Sequence, residues 1–321
     1  KQGGRGMETQ RLVFLDFCKF FGIAFMVWGH AGVPLGVDTY LHSFHMPIFF
    51  FVSGYLFQLD RYSFPRFVWG RARSLLIPYL VFGIGLCLLW NGYYTLFSPE
   101  QAVPWEDVFL RVLWMSSSDS SLFAAVQWFL PCLFFTEVAF YLLALCTRRL
   151  PWLLAPIAVG FSVLGVGASA WFPTPWPWGL DCGLSAIAFY SAGYGLRALG
   201  KFRAGQWLLS GPWYLLPVLF GGGLALSLWN GYVNLRLLLF GNYFLYYGAA
   251  LCSILFYVLF SAWMARFPRF VSCPLGRWMA CVGRNTLGIL VLNQAVRQIL
   301  VLALPWEEWQ AAAPDAVYWM D

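Results

Sequence analysis

Apolar runs long enough to cross a bilayer recur along the whole chain. They fall at about 12–31, 44–60, 74–97, 123–146, 151–172, 183–200, 212–229, 243–265 and 279–304, with short polar turns between them. At about 20 residues per span, this pattern predicts an all-α fold: a polytopic membrane helix bundle of about 9–10 transmembrane helices. A tenth span, short or re-entrant, has room in the amphipathic stretch 105–122 or in 230–242. The expected organisation is a flexible N-terminal segment over 1–10, one membrane domain over 11–304 and an extracytoplasmic tail over 305–321. The first run lacks a small-residue cleavage site and reads as an uncleaved first span.

Charge orients the bundle. With the N-terminus in the cytoplasm, the groups Lys1/Arg5/Arg11, Arg61/Arg66/Arg71/Arg73, Arg148/Arg149, Arg197/Lys201/Arg203 and Arg266/Arg269/Arg277 all fall inside. The outer side receives Asp38, Glu100, Glu106, Asp107, Asp119, Asp181, Glu307, Glu308, Asp315 and Asp321, and only Arg111 and Arg236 run against the trend. This is the positive-inside pattern. It also accounts for the net charge of +6, which is therefore no nucleic-acid footprint. Charged residues make up 11% of the chain and hydrophobic residues 60%, far from the roughly 25% charged expected of a soluble domain. The eight cysteines show no CxxC spacing and mostly sit in apolar runs, so they read as small packing residues. LLWNGYY at 88–94 and SLWNGYV at 227–233 echo one another. Interface chemistry of Trp and Tyr and an internal repeat are both open as explanations.

Against this apolar background a few polar side chains stand out, because a charge at bilayer depth costs a few kcal/mol or more. Asp16, Lys19 and His30 share one face of the first span, with His30 about 16 Å above Lys19. The only three histidines, His30, His42 and His45, gather where the first two spans meet, with His42 and His45 expected to begin the second span. Three readings are open for them: hydrogen-bonded interfacial residues, a proton-handling site, or a three-histidine zinc site, which lacks a second shell apart from Asp38. Arg66, Arg71 and Arg73 crowd the entry to the third span, where anchoring and phosphate binding are both open. Glu137 lies mid-span in WFLPCLFFTEVAFY and needs a cation, for which Arg297 and Lys19 are candidates. Gln127, Trp128, Asn285, Asn293 and Gln294 add polar groups that serve as interhelical hydrogen bonds or as site lining.

Several of these segments together resemble the membrane-bound acyltransferase-3 family, and within it the fucose 4-O-acetylase-like branch. FLDFCKFFGIAFMVWGH is similar to the family's first span, HSFHMPIFFFVSGYLF is the most specific match, and RARSLLIPYLVF is similar to the Arg-rich third-span entry. QWFLPCLFFTE, PWPWGLDCGLSAIAFYSAGYGLR and GRNTLGILVLNQ are similar to later family segments. The resemblance implies transfer of an acyl group, usually acetyl, from cytosolic acyl-CoA (acetyl-CoA in the usual case) to a sugar hydroxyl of a cell-envelope glycan or glycolipid. It also implies a multi-pass cytoplasmic (inner) membrane location in a bacterium, among membrane lipid, with no metal and no nucleic-acid partner. The family's basic first-span residue falls on Lys19, where many members have Arg, and its essential histidine on His30. The first arginine of the third-span pair falls on Arg71. The second position is Ser74, with Arg73 one residue earlier. The last span carries Asn293 where members often have His, so no role is carried over there.

Combined with the residues, the resemblance implies donor phosphates on Arg71 and Arg73 and a thioester arm along the Asp16–Lys19–His30 face. His30 is then the general base, with direct transfer or a transient acyl-His30 both open. His42 and His45 are expected to orient the acceptor or stabilise an oxyanion, with Trp128 and Glu137 as further acceptor contacts. Trp178 and Asp181, in the aromatic loop PTPWPWGLD, are expected to meet sugar from outside, with interface anchoring equally open. A transporter or flippase using the buried charges as a path, or a ligand-sensing membrane domain, remains an alternative.

Overall fold

The computed structural model describes residues 2–30, 33–114, 125–172 and 176–303. It is an all-helical bundle. Its helices are α1 (Gln2–Gly29), α2 (Leu35–Phe44), α3 (Pro47–Leu56), α4 (Phe64–Arg71), α5 (Ile77–Phe97), α6 (Trp105–Trp114), α7 (Phe129–Cys146) and α8 (Leu154–Trp171). They continue as α9 (Leu180–Leu199), α10 (Arg203–Leu209), α11 (Leu216–Asn230), α12 (Tyr243–Ala265), α13 (Pro268–Ser272), α14 (Pro274–Arg284) and α15 (Thr286–Ala303). Among the described residues, three helices are long and apolar enough to cross a membrane by themselves: 64–97, 129–146 and 243–265. A fourth crossing is available if α10 and the helix 213–230, bent by 75°, act as one. Of the two places considered for an extra span, the described part of 105–122 is α6. Residues 231–242 form no helix and fold as a tight loop instead.

Two expected spans are broken, each for a local reason. The run 44–60 is interrupted at its start by Pro47, which cannot continue α2 and instead occupies the first turn of α3. His42 therefore lies in the last turn of α2 and His45 caps its end, rather than both opening the second span. The run 279–304 breaks at Asn285, whose side-chain Nδ2 donates back to the Cys281 carbonyl at 2.8 Å. α14 buries Gly276, Met279, Ala280 and Gly283, one helical face of mostly small residues. That face lets α14 lie directly on α1, with Gly283 against the Asp16 backbone. Elsewhere the helix 64–97 runs on through a π-helical turn at Ala72–Leu76, beside the arginines. Such turns are often found at functional positions.

α3 is central and packs most extensively on α9. Glycines permit the approach: a Cβ at Gly54 would collide with the Tyr190 carbonyl, and a Cβ at Gly193 with the Phe51 carbonyl. This explains the glycine in the segment IFFFVSGYLF as a packing requirement. Gly54→Ala and Gly193→Ala are each expected to destabilise the protein by about 1–3 kcal/mol through overpacking. Gly195→Ala, which meets nothing within 4 Å, is the neutral control in thermal unfolding followed in detergent.

The two WNG segments turn out to share a device. Asn91 donates from Nδ2 to the Val103 carbonyl and accepts the Val103 N–H on Oδ1, both at 2.9 Å. Asn230 donates to the Phe240 carbonyl at 2.9 Å and accepts the Asn242 N–H at 2.8 Å. In each case one amide pins the returning chain.

Candidate active site

The C-terminal end of α1, the break between α2 and α3, and the loop 231–242 converge on one small cavity of about 80 Å³. His30, His42, His45, Trp128, Asn234 and Arg236 are among its lining residues. The imidazoles form a short series: ring centroids are 6.4 Å apart from His30 to His42 and 4.8 Å from His42 to His45. Their hydrogen bonds set the tautomers. His45 Nδ1 lies 2.7 Å from the Leu41 carbonyl. A carbonyl can only accept, so Nδ1 carries the proton and Nε2 is the basic nitrogen. His42 Nδ1 lies 2.8 Å from Asp38 Oδ1, one turn earlier on α2, and 3.2 Å from the Asp38 carbonyl. The Asp38 carbonyl is the hydrogen-bond acceptor that fixes the His42 ring, with the Asp38 carboxylate alongside at ion-pair distance, leaving that Nε2 as acceptor.

The loop 231–242 lies over this cavity. Its ends are closed by Asn230, and the antiparallel Asn234–Leu239 bridge tightens it, with N···O distances of 2.7 and 3.0 Å. Tyr232 packs on His42 at 5.1 Å between centroids, and Asn234 donates to the Tyr232 hydroxyl at 3.2 Å. Burial holds the Tyr232 phenol above its ordinary pKa, with the Asn234 contact working the other way, so the hydroxyl keeps its proton. Tyr232 and Asn234 carry no expectation from the sequence, and Asp38 enters there as a site residue only in support of a zinc site. Two signals for them stand in the sequence: the Asp38–His42 spacing of one helical turn, and Arg236 as an exception to the charge rule. Asn230→Ala is expected to speed amide exchange in 231–242 by about tenfold or more, as one or two hydrogen bonds are lost, with exchange in α12 unchanged.

A second concavity, of about 440 Å³, lies at the other end of α3 and is lined by Arg61, Arg66, Arg71 and Arg73 with Phe57 and Trp69. Arg71 Nε is 3.2 Å from Glu137 Oε2, and the Glu137 side chain is only 1% exposed. Glu137 therefore has Arg71 as its cation, not Lys19. It belongs to the arginine end, away from the acceptor contacts where it was expected. The Arg297 side chain lies outside what the structure describes. Lys19 is committed to Asp16, with Nζ 3.0 Å from Oδ1, and stands about 16 Å along α1 from His30. Trp128 is buried and lines the histidine cavity. Trp178 and Asp181 do not line it. Trp178 donates to the Leu113 carbonyl and packs on Phe135. Asp181 is fully buried and accepts the backbone N–H of Trp176 at 2.9 Å and of Cys182 at 2.8 Å, so its carboxylate holds the loop in shape. Among the described residues no group of three or more His, Cys, Asp or Glu side chains is arranged to hold a metal ion.

α3 thus joins the two places. It leaves the histidine cavity at Met46 and ends at Leu56 and Phe57 in the arginine cavity. Its ten residues rise about 15 Å, half of the roughly 30 Å of hydrocarbon in a bilayer. The fold and site define a multi-helix membrane protein with a three-imidazole cavity and an arginine-lined cavity set about half a bilayer apart. A family model described as an acyltransferase domain matches residues 12–310, and the chain belongs to the acyltransferase-3 family. The protein is a membrane acyltransferase. Neither a curated protein nor a solved structure matches the chain.

Proposed function

We propose that this protein moves an acyl group, acetyl in the first instance, from cytosolic acyl-CoA to a sugar hydroxyl of a cell-envelope glycan or glycolipid, from a bacterial inner membrane. The observation that carries the reading is the pairing of two unlike cavities through α3. A phosphate-rich donor suits the arginines, and a hydroxyl awaiting deprotonation suits the imidazoles. Arg71 and Arg73 hold donor phosphates. The thioester arm passes between helices toward His30, with the Lys19–Asp16 pair along its way. His30 takes the proton of the acceptor hydroxyl as it attacks the thioester carbonyl and returns that proton to the sulfur, so that CoA leaves as the thiol. His42, oriented by Asp38, and His45 bind the acceptor or the developing oxyanion.

The test uses vesicles carrying the protein in one orientation, with labelled acetyl-CoA on the cytoplasmic face and a glycan acceptor on the other. Label appearing in ester linkage on the acceptor, one per CoA released, supports the reading. Movement of a solute without CoA turnover would replace it with the transporter alternative.

A further inference from the structure

A third concavity, of about 560 Å³, lies beside the arginine cavity, and nothing in the reaction as described uses it. The two share Phe57, Gln58 and Arg61, so only the link between α3 and α4 separates them. The link is held in place by the Tyr141 hydroxyl, which donates to the Tyr62 carbonyl at 3.0 Å. The ends of α3, α7 and α9 all arrive here, and their outward carbonyls favour cations.

The cations at this place do different things. Arg197 donates from Nη1 to the Tyr55, Leu56 and Phe57 carbonyls at 3.1–3.3 Å, closing the end of α3. Arg148 reaches Asp60 at 3.0 Å, with both side chains well exposed. Among the described residues, no carboxylate pairs with Arg61 or Lys201. Arg61 and Arg66 are both held against the Tyr62 ring, 5.2 and 5.4 Å from its centroid. Two like charges are thereby fixed near one another with no acid between them. Around the joined cavities stand Arg61, Arg66, Arg71, Arg73, Arg148, Arg197 and Lys201, against the carboxylates of Asp60 and Glu137. Membrane orientation requires positive charge near the ends of spans; it does not require that charge to line two adjoining hollows. Unmatched guanidinium and ammonium groups in a hollow of this size suit a phosphorylated small molecule.

Resting on the acyl-CoA reading, we infer that the larger cavity is a second phosphate site of the donor. It takes the nucleotide end of CoA with its 3′-phosphate on Lys201 and Arg148, while the diphosphate sits at Arg61, Arg71 and Arg73. Arg61, on the shared wall, spans both. An anionic lipid headgroup offers the same phosphate chemistry from another source, and the experiment separates the two.

The full chain is titrated calorimetrically with CoA and with 3′-dephospho-CoA, in nanodiscs of neutral lipid and of neutral lipid with phosphatidylglycerol. Wild type is expected to bind CoA about tenfold or more tightly than dephospho-CoA, since one charged hydrogen bond amounts to that factor. Lys201→Gln with Arg148→Gln is expected to erase this preference and leave dephospho-CoA affinity as it was. Arg73→Gln is expected to weaken both ligands alike. Equal wild-type affinity for the two ligands overturns the second phosphate site while leaving acyl-CoA as donor. Binding of neither ligand overturns the donor reading itself. If the double variant loses phosphatidylglycerol in native mass spectra and keeps its CoA preference, the cavity holds lipid and the inference is wrong.

Discussion

Replacing His30 by alanine is expected to lower acyl transfer by about 10²–10⁴-fold, the range for loss of a general base, while leaving the fold and acyl-CoA binding intact. Three observations fix this expectation. His30 stands just beyond the end of α1, its N–H still bonded to the Met26 carbonyl at 3.2 Å, so its backbone is set by the helix. Its side chain lines a small cavity with two other imidazoles. The arginines proposed to hold the donor lie at the other end of α3, so the variant does not touch them. The structure also supplies a rival base. His42 is backed by the Asp38 carboxylate at 2.8 Å, the arrangement that orients a basic imidazole in many hydrolases. The comparison of variants therefore matters more than the single loss. His30→Ala is expected to cost more in kcat than His42→Ala, and Asp38→Asn to track His42→Ala. If His42→Ala and Asp38→Asn instead match or exceed His30→Ala, and Asp38→Asn moves the acidic limb of the pH profile, the proton goes to His42.

The second large effect lies in the Arg71–Glu137 pair. Arg71→Gln leaves the Glu137 carboxylate at 1% exposure without its cation. Breaking a fully buried pair from one side costs about 3–5 kcal/mol; here the arginine side is 38% exposed, so solvent screening makes the expected cost smaller than that. Arg71→Gln is therefore expected to lower the unfolding midpoint as well as to weaken acyl-CoA binding. The double variant Arg71→Gln/Glu137→Gln separates the two roles. It is expected to recover most of the stability, because no charge is left stranded, but none of the acyl-CoA affinity. Recovery of both would make Arg71 purely structural. Failure to recover stability would mean that the guanidinium, packed over Phe67 at 5.4 Å, contributes through the ring and not through Glu137. The nonadditivity of the pair is the informative quantity.

The parts of this site that sequence exposed were those governed by local physics. The apolar period placed α1, α7 and α12. The cost of burying charge singled out Asp16, Lys19 and Glu137, and the rarity of histidine led to one end of the bundle. The break at Pro47 was equally local, since proline cannot continue a helix, yet the apolar character of 44–60 hid it. The partner of Glu137 was not legible, because Arg71 lies on a different helix far along the chain and only packing brings the two together. The stretch 230–242 has room for a short or re-entrant span by length, and it contains the apolar Val233, Leu235 and Phe240. These loop side chains point into the core, and hydropathy does not distinguish that from a lipid-facing position. Asp181 looked like an exposed sugar contact beside tryptophans. Its carboxylate instead satisfies backbone N–H groups, a role fixed by the fold of the Trp176–Asp181 turn.

We propose that one imidazole cavity and one cationic cavity, joined by α3, carry a single acyl transfer. The most direct measurement is free thiol released from acetyl-CoA by the purified full chain, with and without a panel of glycan acceptors, for wild type and His30→Ala. CoA release is expected to rise with one acceptor class, to equal the ester formed, and to disappear in His30→Ala while acetyl-CoA still binds. Acceptor-stimulated release that persists undiminished in a folded His30→Ala protein would contradict it.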